Sequence, residues 1–316
     1  MPTTAPTEKQ KPVLSIITVF WNPGDEVDHY FHALESCRNN ARFTLEVIAV
    51  DNASADGTAG RIRKQYPWAQ CIENAQNLGF AEGCNVGLRK ANGDYLLLLN
   101  PDCEAREEAL EHMISLLARN AKIGVVGCTL LHGDGLPQHS HHHEPSWWSY
   151  WSTHSLLSPL VLRVRKILLG TRELKKPRQV AWLMGACMML RRSTLQQIGL
   201  LDPEYFMYSE DSDYCRRIRN KGMQVIYDPR VHMVHHHGTT ARRRAEFTFR
   251  RLYKSLLRYS SKHHSKWECL ALRTAVMVDF LLRLPVYALG SDKERFRSAV
   301  MILKAYSMNS TALIRT

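Results

Sequence analysis

Apolar positions recur along the first half of the chain with two different periods. Residues 13–20 and 45–50 are short, β-branched and almost continuously apolar, and residues 94–99 close on four leucines, the pattern of strands buried on both faces. Between them, residues 27–39 and 58–65 space their apolar positions three and four apart, as amphipathic helices do. This alternation predicts a βαβα arrangement, an α/β fold with a mainly parallel sheet flanked by helices. Residues 132–177 break the pattern. They are rich in His, Trp, Pro and Ser, and read as a long loop or lid holding one amphipathic stretch over 156–169. Regular patterning resumes with an apolar run at 180–190, a helix over 211–221 and a strand near 224–228, and after Thr240 the chain turns helical and basic. The organisation expected is a flexible N-terminal tail over 1–12, a body over 13–240 and a basic helical extension over 241–316. No internal repeat is visible.

In open sheets of this kind ligands sit beyond the carboxyl ends of the strands, which directs attention to the loops that follow them. The first, Asp51-Asn52-Ala53-Ser54-Ala55-Asp56-Gly57-Thr58, is either a capped strand-to-helix turn or a place where Asp51 accepts hydrogen bonds from a nucleobase or ribose. The second, Asn77-Leu78-Gly79-Phe80-Ala81-Glu82-Gly83, is glycine-punctuated and opens a helix, so its backbone could approach a diphosphate closely. The third, Asn100-Pro101-Asp102, ends a buried strand in an amide and a carboxylate. An Asn-Pro-Asp turn is common, yet a strand-end acid also suits magnesium or manganese held between few protein ligands and a substrate phosphate.

Farther on, Glu210, Asp211 and Asp213 open a helix that carries Arg217. Asp213 and Arg217 stand four apart and can satisfy each other, which leaves Glu210 or Asp211 to face a cleft as a general base. His235-His236-His237 follows a predicted strand and could complete a metal shell or simply be solvated. His139 and His141 to His143 lack a second well-spaced ligand pair and read as a polar loop.

Composition changes the picture in one respect. Of the 316 residues 45% are hydrophobic and 23% charged, enough for one substantial core, and the net charge is +12. That charge is concentrated: residues 241–316 hold 16 of the 42 Lys and Arg but only 5 of the 30 Asp and Glu. Arg242-Arg243-Arg244, Arg250-Arg251, Lys254, Arg258, Lys262 and Lys266 interleave with Phe247, Phe249, Leu252, Tyr253, Leu256 and Leu257, a composition suited to an interfacial helix on anionic lipid or to a solvated helical face on the body. The apolar stretch at 270–289 is interrupted by Arg273, Asp279, Arg283 and Pro285, which disfavours a membrane span. Residues 1–12 do not read as a secretory signal, and eight cysteines without a C-x-x-C pair suit a reducing cytoplasm.

In order, residues 14–21, Val50-Asp51-Asn52-Ala53-Ser54, Asn77-Leu78-Gly79-Phe80, Leu99-Asn100-Pro101-Asp102, Trp182-Leu183-Met184-Gly185-Ala186 and Phe206-Met207-Tyr208-Ser209-Glu210-Asp211-Ser212-Asp213 resemble the family 2 inverting glycosyltransferases over about residues 13–240. The pattern is most similar to bacterial rhamnosyltransferases of cell-envelope polysaccharide synthesis. The resemblance implies a GT-A fold, with Asp51, Asn77 and Gly79 on the nucleotide, and Asp102 and His235 on a divalent cation (Mn2+ or Mg2+). It makes Asn100, which replaces the first acid of the family's D-x-D motif, a metal or donor contact, and His236 the substitute for His235 if the register slips by one. Asp211 matches the family's base, with Glu210 the alternative, and Trp182, Gly185 and Ala186 would shape the acceptor site. The donor implied is a nucleotide-sugar, dTDP-rhamnose by preference, with a UDP-hexose or galactofuranose donor as the alternative. The acceptor is a polyprenyl-diphosphate-linked glycan, reached by a protein peripheral on the cytoplasmic face of the inner membrane, as a monomer or an oligomer. A nucleic-acid-binding protein, or an inactive membrane scaffold of the same fold, is the rival from another class; the first would bind polynucleotide in a salt-dependent way, which a glycosyltransferase need not do.

Overall fold

The run VLSIITVF forms β1 (Val13–Phe20) in the middle of the main sheet, where every residue after the first is buried. In the computed structural model, which describes residues 11–40, 42–156, 158–169, 175–236, 245–290 and 293–307, the expected alternation follows. It runs through α1 (Glu26–Glu35), β2 (Thr44–Asp51), α2 (Thr58–Gln65), β3 (Gln70–Glu73), α3 (Gly79–Lys90) and β4 (Tyr95–Leu99). Then come β5 (Cys103–Glu104), α4 (Glu107–Arg119), β6 (Ile123–Leu131), β7 (Pro137–Gln138), β8 (His141–His142), α5 (Trp147–His154) and α6 (Ser158–Leu169). The chain continues with β9 (Arg178–Gln179), β10 (Trp182–Leu183), β11 (Cys187–Arg191), α7 (Arg192–Ile198), α8 (Glu210–Asn220), β12 (Gln224–His235), α9 (Ala245–His263), α10 (Lys266–Leu289) and α11 (Lys293–Ser307).

The sheet order is β3-β2-β1-β4-β11-β6-β12-β5. Strands β3, β2, β1 and β4 are parallel, β11 runs against both β4 and β6, and β12 lies parallel to β6. Alternate side chains of β1 feed two cores. Leu14, Ile16 and Phe20 pack with Val27, Phe31 and Leu34 of α1 and Leu110, Met113 and Leu117 of α4. On the other face Ile17 and Val19 meet Ala81, Cys84 and Leu88 of α3 and Tyr214, Cys215 and Ile218 of α8. Helix α3 lies so close to β1 that a Cβ on Gly87 would stand 2.4 Å from Cγ2 of Ile17.

Residues 132–177 are more regular than the expected loop: α6 answers to the amphipathic stretch expected over 156–169, and β7, β8 and α5 come in addition. The Ser- and Trp-rich composition concealed α5. Its N-terminal end is set by a reciprocal capping box between Ser146 and Ser149, and it is anchored by Tyr150, which is buried in a third core rather than in an amphipathic stripe. That core joins Tyr150 to Tyr253 of α9, Leu272, Val276 and Phe280 of α10, and Ile302 and Tyr306 of α11.

Helix α9 packs on the body. Arg258 reaches Asp202 at 3.1 Å and also pairs with Glu204, Lys262 lies 2.7 Å from both Asp202 and Asp213, and Ser255 donates to the Met207 carbonyl at 2.7 Å. Arg258 and Lys262 are therefore engaged with acids of the sheet domain, the second of the two arrangements the composition allowed. Arg242, Arg243 and Arg244, and residues 1–10 of the expected tail, lie outside the described residues. No helix among the described residues is long and apolar enough to cross a membrane.

Candidate functional site

The strand directions bring five ends to one edge of the sheet: the carboxyl ends of β1, β2, β4 and β12, and the start of β11, whose Cys187 pairs with Leu99. All the residues singled out from the sequence belong to segments that reach this edge.

Asp51 ends β2 opposite Phe20 and is 1% exposed. One carboxylate oxygen accepts the Ser54 N–H at 3.2 Å, while Oδ1 is buried without a hydrogen-bond partner. Burial pushes this carboxyl above the usual range. Ala53, two residues on, holds a left-handed φ of 58°, and the loop is tied to the end of β1 by Asn22, whose side chain accepts the Ala55 N–H at 2.7 Å. Next to Asp51, Asn52 donates to the Gly79 carbonyl at 2.8 Å. Asn77 accepts the Gly79 N–H at 2.9 Å, so its side-chain oxygen shapes the turn. Gly79 has φ 81°, and a Cβ there would lie 2.3 Å from the Phe206 carbonyl oxygen. The close approach expected between this glycine and a diphosphate is thus an approach to the protein's own backbone, fixed by a 2.7 Å hydrogen bond from Phe80 N–H to the Phe206 carbonyl.

At the end of β4, the Asn100 N–H donates to the Ala186 carbonyl at 3.0 Å, and Asp102 turns toward β12. There Oδ1 of Asp102 stands 3.2 Å from Nε2 of His235, which is 3% exposed. The other ring nitrogen of His235 lies 2.8 Å from Oε1 of Gln138, an oxygen that can only accept, so Nδ1 carries a proton and Nε2 is left facing the Asp102 carboxylate, a pair of acceptors that a proton or a cation between them satisfies. Gln138 also donates to the His235 carbonyl at 2.5 Å. It was missed in the sequence because β7 has only two residues and no periodicity. Cys103 completes a group with Asp102 and His235 whose candidate ligand atoms lie within 4.8 Å of one another. Burial raises the Cys103 thiol well above its ordinary value, and it donates to the Ala186 carbonyl at 3.5 Å, which leaves the carboxylate oxygen and the imidazole as the donors. That oxygen and nitrogen pair, with its outer hydrogen bond in place, fits a divalent cation that completes its shell from substrate. His236 points elsewhere, to Glu104 at 2.6 Å. Of the second histidine cluster, His141 stacks on Tyr227 at 4.1 Å and His142 on Trp182 at 4.2 Å.

Facing this pair is the start of α8. Tyr208 and Ser209 both adopt left-handed φ, 69° and 64°, immediately before Glu210, a conformation that tertiary contacts must hold in place. Asp211 is 9% exposed and accepts two backbone N–H groups, from Gly185 at 2.9 Å and Ser212 at 2.7 Å. Burial pushes its carboxyl up to about 6 despite both hydrogen bonds. Glu210 is raised further by burial and by the neighbouring Asp211, and its Oε2 is buried without a hydrogen-bond partner. Asp213 pairs with Arg217 at 2.9 Å at the expected spacing. Trp182 donates to the His143 carbonyl at 2.8 Å, and a Cβ on Gly185 would be 3.4 Å from the Phe80 ring, so Gly185 keeps the floor of the site low. Ala186 departs from its expected acceptor role: at 3% exposure its methyl belongs to the core, and it contributes its carbonyl instead. Asn85, which sequence reasoning passed over, clamps the two halves by donating to the Leu201 carbonyl and accepting its N–H, both at 2.9 Å.

A mainly parallel sheet that collects an unpartnered aspartate oxygen, an aspartate–histidine pair and a proton-accepting carboxyl along one edge has the architecture of an α/β enzyme that handles a nucleotide-bearing substrate. The chain belongs to glycosyl transferase family 2, whose model matches residues 15–199. It is similar to the N-acetylglucosaminyl-diphospho-decaprenol L-rhamnosyltransferase of Mycobacterium tuberculosis, 26% identical over 294 residues that cover 86% of this chain and 94% of the relative. It is also similar to the rhamnosyltransferase WbbL of Escherichia coli, 26% identical over 191 residues, 58% of this chain and 70% of the relative. Among solved structures, a mannosyltransferase from Pyrobaculum calidifontis in complex with GDP-Man and Mn2+ superposes with a TM-score of 0.57 at 18% identity, over 98% of this chain and 80% of that one. GalNAc-T7 with UDP, GalNAc and Mn2+ gives 0.60 at 15% identity, over 96% and 57%. The fold is GT-A.

Proposed function

We propose that this protein is an inverting, divalent-cation-dependent glycosyltransferase that moves rhamnose from dTDP-rhamnose onto a polyprenyl-diphosphate-linked glycan at the cytoplasmic face of the inner membrane. The observation that carries the reading is the Asp102–His235 pair, whose tautomer is set by Gln138, standing on the same sheet edge as a buried carboxyl with a raised proton affinity. Both rhamnosyltransferase relatives support rhamnose as the sugar, and the N-acetylglucosaminyl-diphospho-decaprenol substrate of the Mycobacterium tuberculosis enzyme supports the acceptor.

In this reading Asp51 accepts a hydrogen bond from the base or ribose with its unpartnered oxygen, and Asp102 and His235 hold a Mn2+ or Mg2+ ion, with Asn100 beside them. When bound, that ion supplies positive charge next to the departing diphosphate. Asp211, fixed by the Gly185 and Ser212 N–H groups, takes the proton of the acceptor hydroxyl as its oxygen forms the new bond to the anomeric carbon. The bond to the diphosphate oxygen breaks on the opposite side, and the nucleoside diphosphate leaves with the electron pair. One displacement inverts the centre, and no second carboxylate at the short spacing of a retaining site is required. Trp182 offers a ring face to the acceptor sugar and Gly185 leaves it room.

Calorimetric titration with dTDP, UDP and GDP, each with and without manganese or magnesium, tests the reading. Metal-dependent dTDP binding that vanishes in Asp102→Ala supports it, UDP preference moves the donor to a UDP-hexose, and failure to bind any nucleotide refutes it. Transfer that survives both Asp102→Ala and Asp211→Ala would assign the chemistry to other residues.

A further inference from the structure

Helix α10 is built inside out with respect to charge. Of the residues that interrupt its apolar sequence, Asp279 is 1% exposed and faces the helical core, where it accepts from Tyr150 at 2.8 Å, from the Leu156 N–H at 2.6 Å and from Arg283 at 2.8 Å. The opposite face carries Trp267, Leu270, Val278, Leu281, Leu282 and Leu289, between 39% and 87% exposed. From Leu270 to Leu289 the exposed positions of this 24-residue helix carry no charge, a stripe on the order of 30 Å long. Helix α5, which packs on α10, and α6, which packs on α5, also expose large apolar side chains, Trp148 at 62% and Leu160 at 61%. Scattered exposed leucines need no explanation, but a continuous apolar face bordered by tryptophans marks a surface that meets something apolar.

Charge identifies the occupant. On α6, α10 and α11 Arg163, Lys266, Arg295 and Arg297 are exposed, against one exposed acid among their described residues, Glu268. A second copy would bring the same excess against itself, whereas an anionic bilayer attracts it. No described helix can span a bilayer, so the stripe lies in the plane of the interface. We infer that the exposed face of α10, continued by α5 and α6, is the surface with which this protein docks on anionic lipid. It assigns to α10 the contact that composition had assigned to α9. It adds a location to the lipid-linked acceptor reading and rests on that reading only for its purpose.

The experiment is flotation of the full chain, without nucleotide, with vesicles of phosphatidylglycerol and phosphatidylcholine or of phosphatidylcholine alone. The protein floats with the anionic vesicles, and Leu281→Asp with Leu282→Asp lowers the bound fraction about tenfold or more. Quenching of tryptophan emission by acyl-brominated phosphatidylglycerol requires no folded variant: wild-type emission falls, and Trp267→Phe removes part of the fall. Absence of flotation or quenching, undiminished binding by the folded double variant, or a wild-type dimer that this variant dissociates would each overturn the inference. Because nucleotide is absent, such a failure leaves the donor-site reading to its own titration.

Discussion

Replacing Asp211 by Asn tests whether the carboxyl at the start of α8 is held against its own stability. Its proton affinity is raised from the ordinary 3.8 to about 6, chiefly by burial. The folded state therefore holds the proton more tightly than the unfolded chain. The stability this confers is complete below about pH 3.8 and is lost as the pH rises through about 6. The full swing is about 3 kcal/mol, of which about 2 kcal/mol falls between pH 4.5 and 7.5. An Asn side chain has no such swing. Its oxygen can still accept the Gly185 N–H, but its amide nitrogen cannot accept from Ser212, and leaving that buried N–H unpaired costs about 1–3 kcal/mol. Asp211→Asn is thus less stable than wild type at pH 4.5, and the deficit shrinks by about 2 kcal/mol, to within about 1 kcal/mol of wild type in either direction, at pH 7.5. Glu210 is raised in part by the Asp211 charge, so the variant also relieves that repulsion and the difference reports the two neighbouring carboxyls together. Urea unfolding at the two pH values measures it. Transfer at pH 7.5 falls by about 100-fold or more in the variant, and the wild-type rate falls as the pH drops below about 6. A stability difference that does not change with pH would refute the burial argument, and unimpaired transfer would remove Asp211 from the role of base.

Three further outcomes follow from the same geometry. Gly79→Ala combines a left-handed φ with a Cβ 2.3 Å from the Phe206 carbonyl, and urea unfolding registers a loss of roughly 2–4 kcal/mol; a loss below about 0.5 kcal/mol contradicts the close approach. Gln138→Leu removes the acceptor that sets the His235 tautomer and weakens Mn2+ binding about 10–100-fold by paramagnetic resonance of the free ion, whereas Gln138→Glu, which keeps an acceptor, retains it. Asp51→Ala weakens dTDP binding about tenfold and leaves pyrophosphate binding unchanged, as calorimetry with both ligands distinguishes.

Much of the sheet was legible because strands buried on both faces write themselves as continuous apolar runs: residues 58–65 were placed to the residue as α2, and 13–20 as β1. The body also exposed its acids, since a carboxylate at the end of such a run stands out. Gln138 did not stand out, because its function comes from a pairing between β6 and β7 that brings it to His235, 97 residues away. Gly79 was noticed for its freedom, but which group approached it could not be read from neighbours in sequence when the partner is Phe206. The placement of α9 was left open between two readings for a similar reason. A helix made of cations and aromatics has the same composition whether it faces lipid or faces Asp202, Glu204 and Asp213, and only the fold reveals that those acids are underneath.

Asp213 bears on how far the protein is modular. It is fully buried, lies two residues beyond the proposed base, and is held by Arg217 from its own helix and by Lys262 and His263 from α9, both at 2.7 Å. A chain cut at residue 240 keeps every strand of the sheet and every residue proposed to touch substrate. It loses two of these three cationic or imidazole partners, and uncovers Tyr205, over which Arg258 and Lys262 lie. The body and its helical lobe are therefore not independent parts: α9 supplies two of the partners of a buried acid that stands two residues from the proposed base.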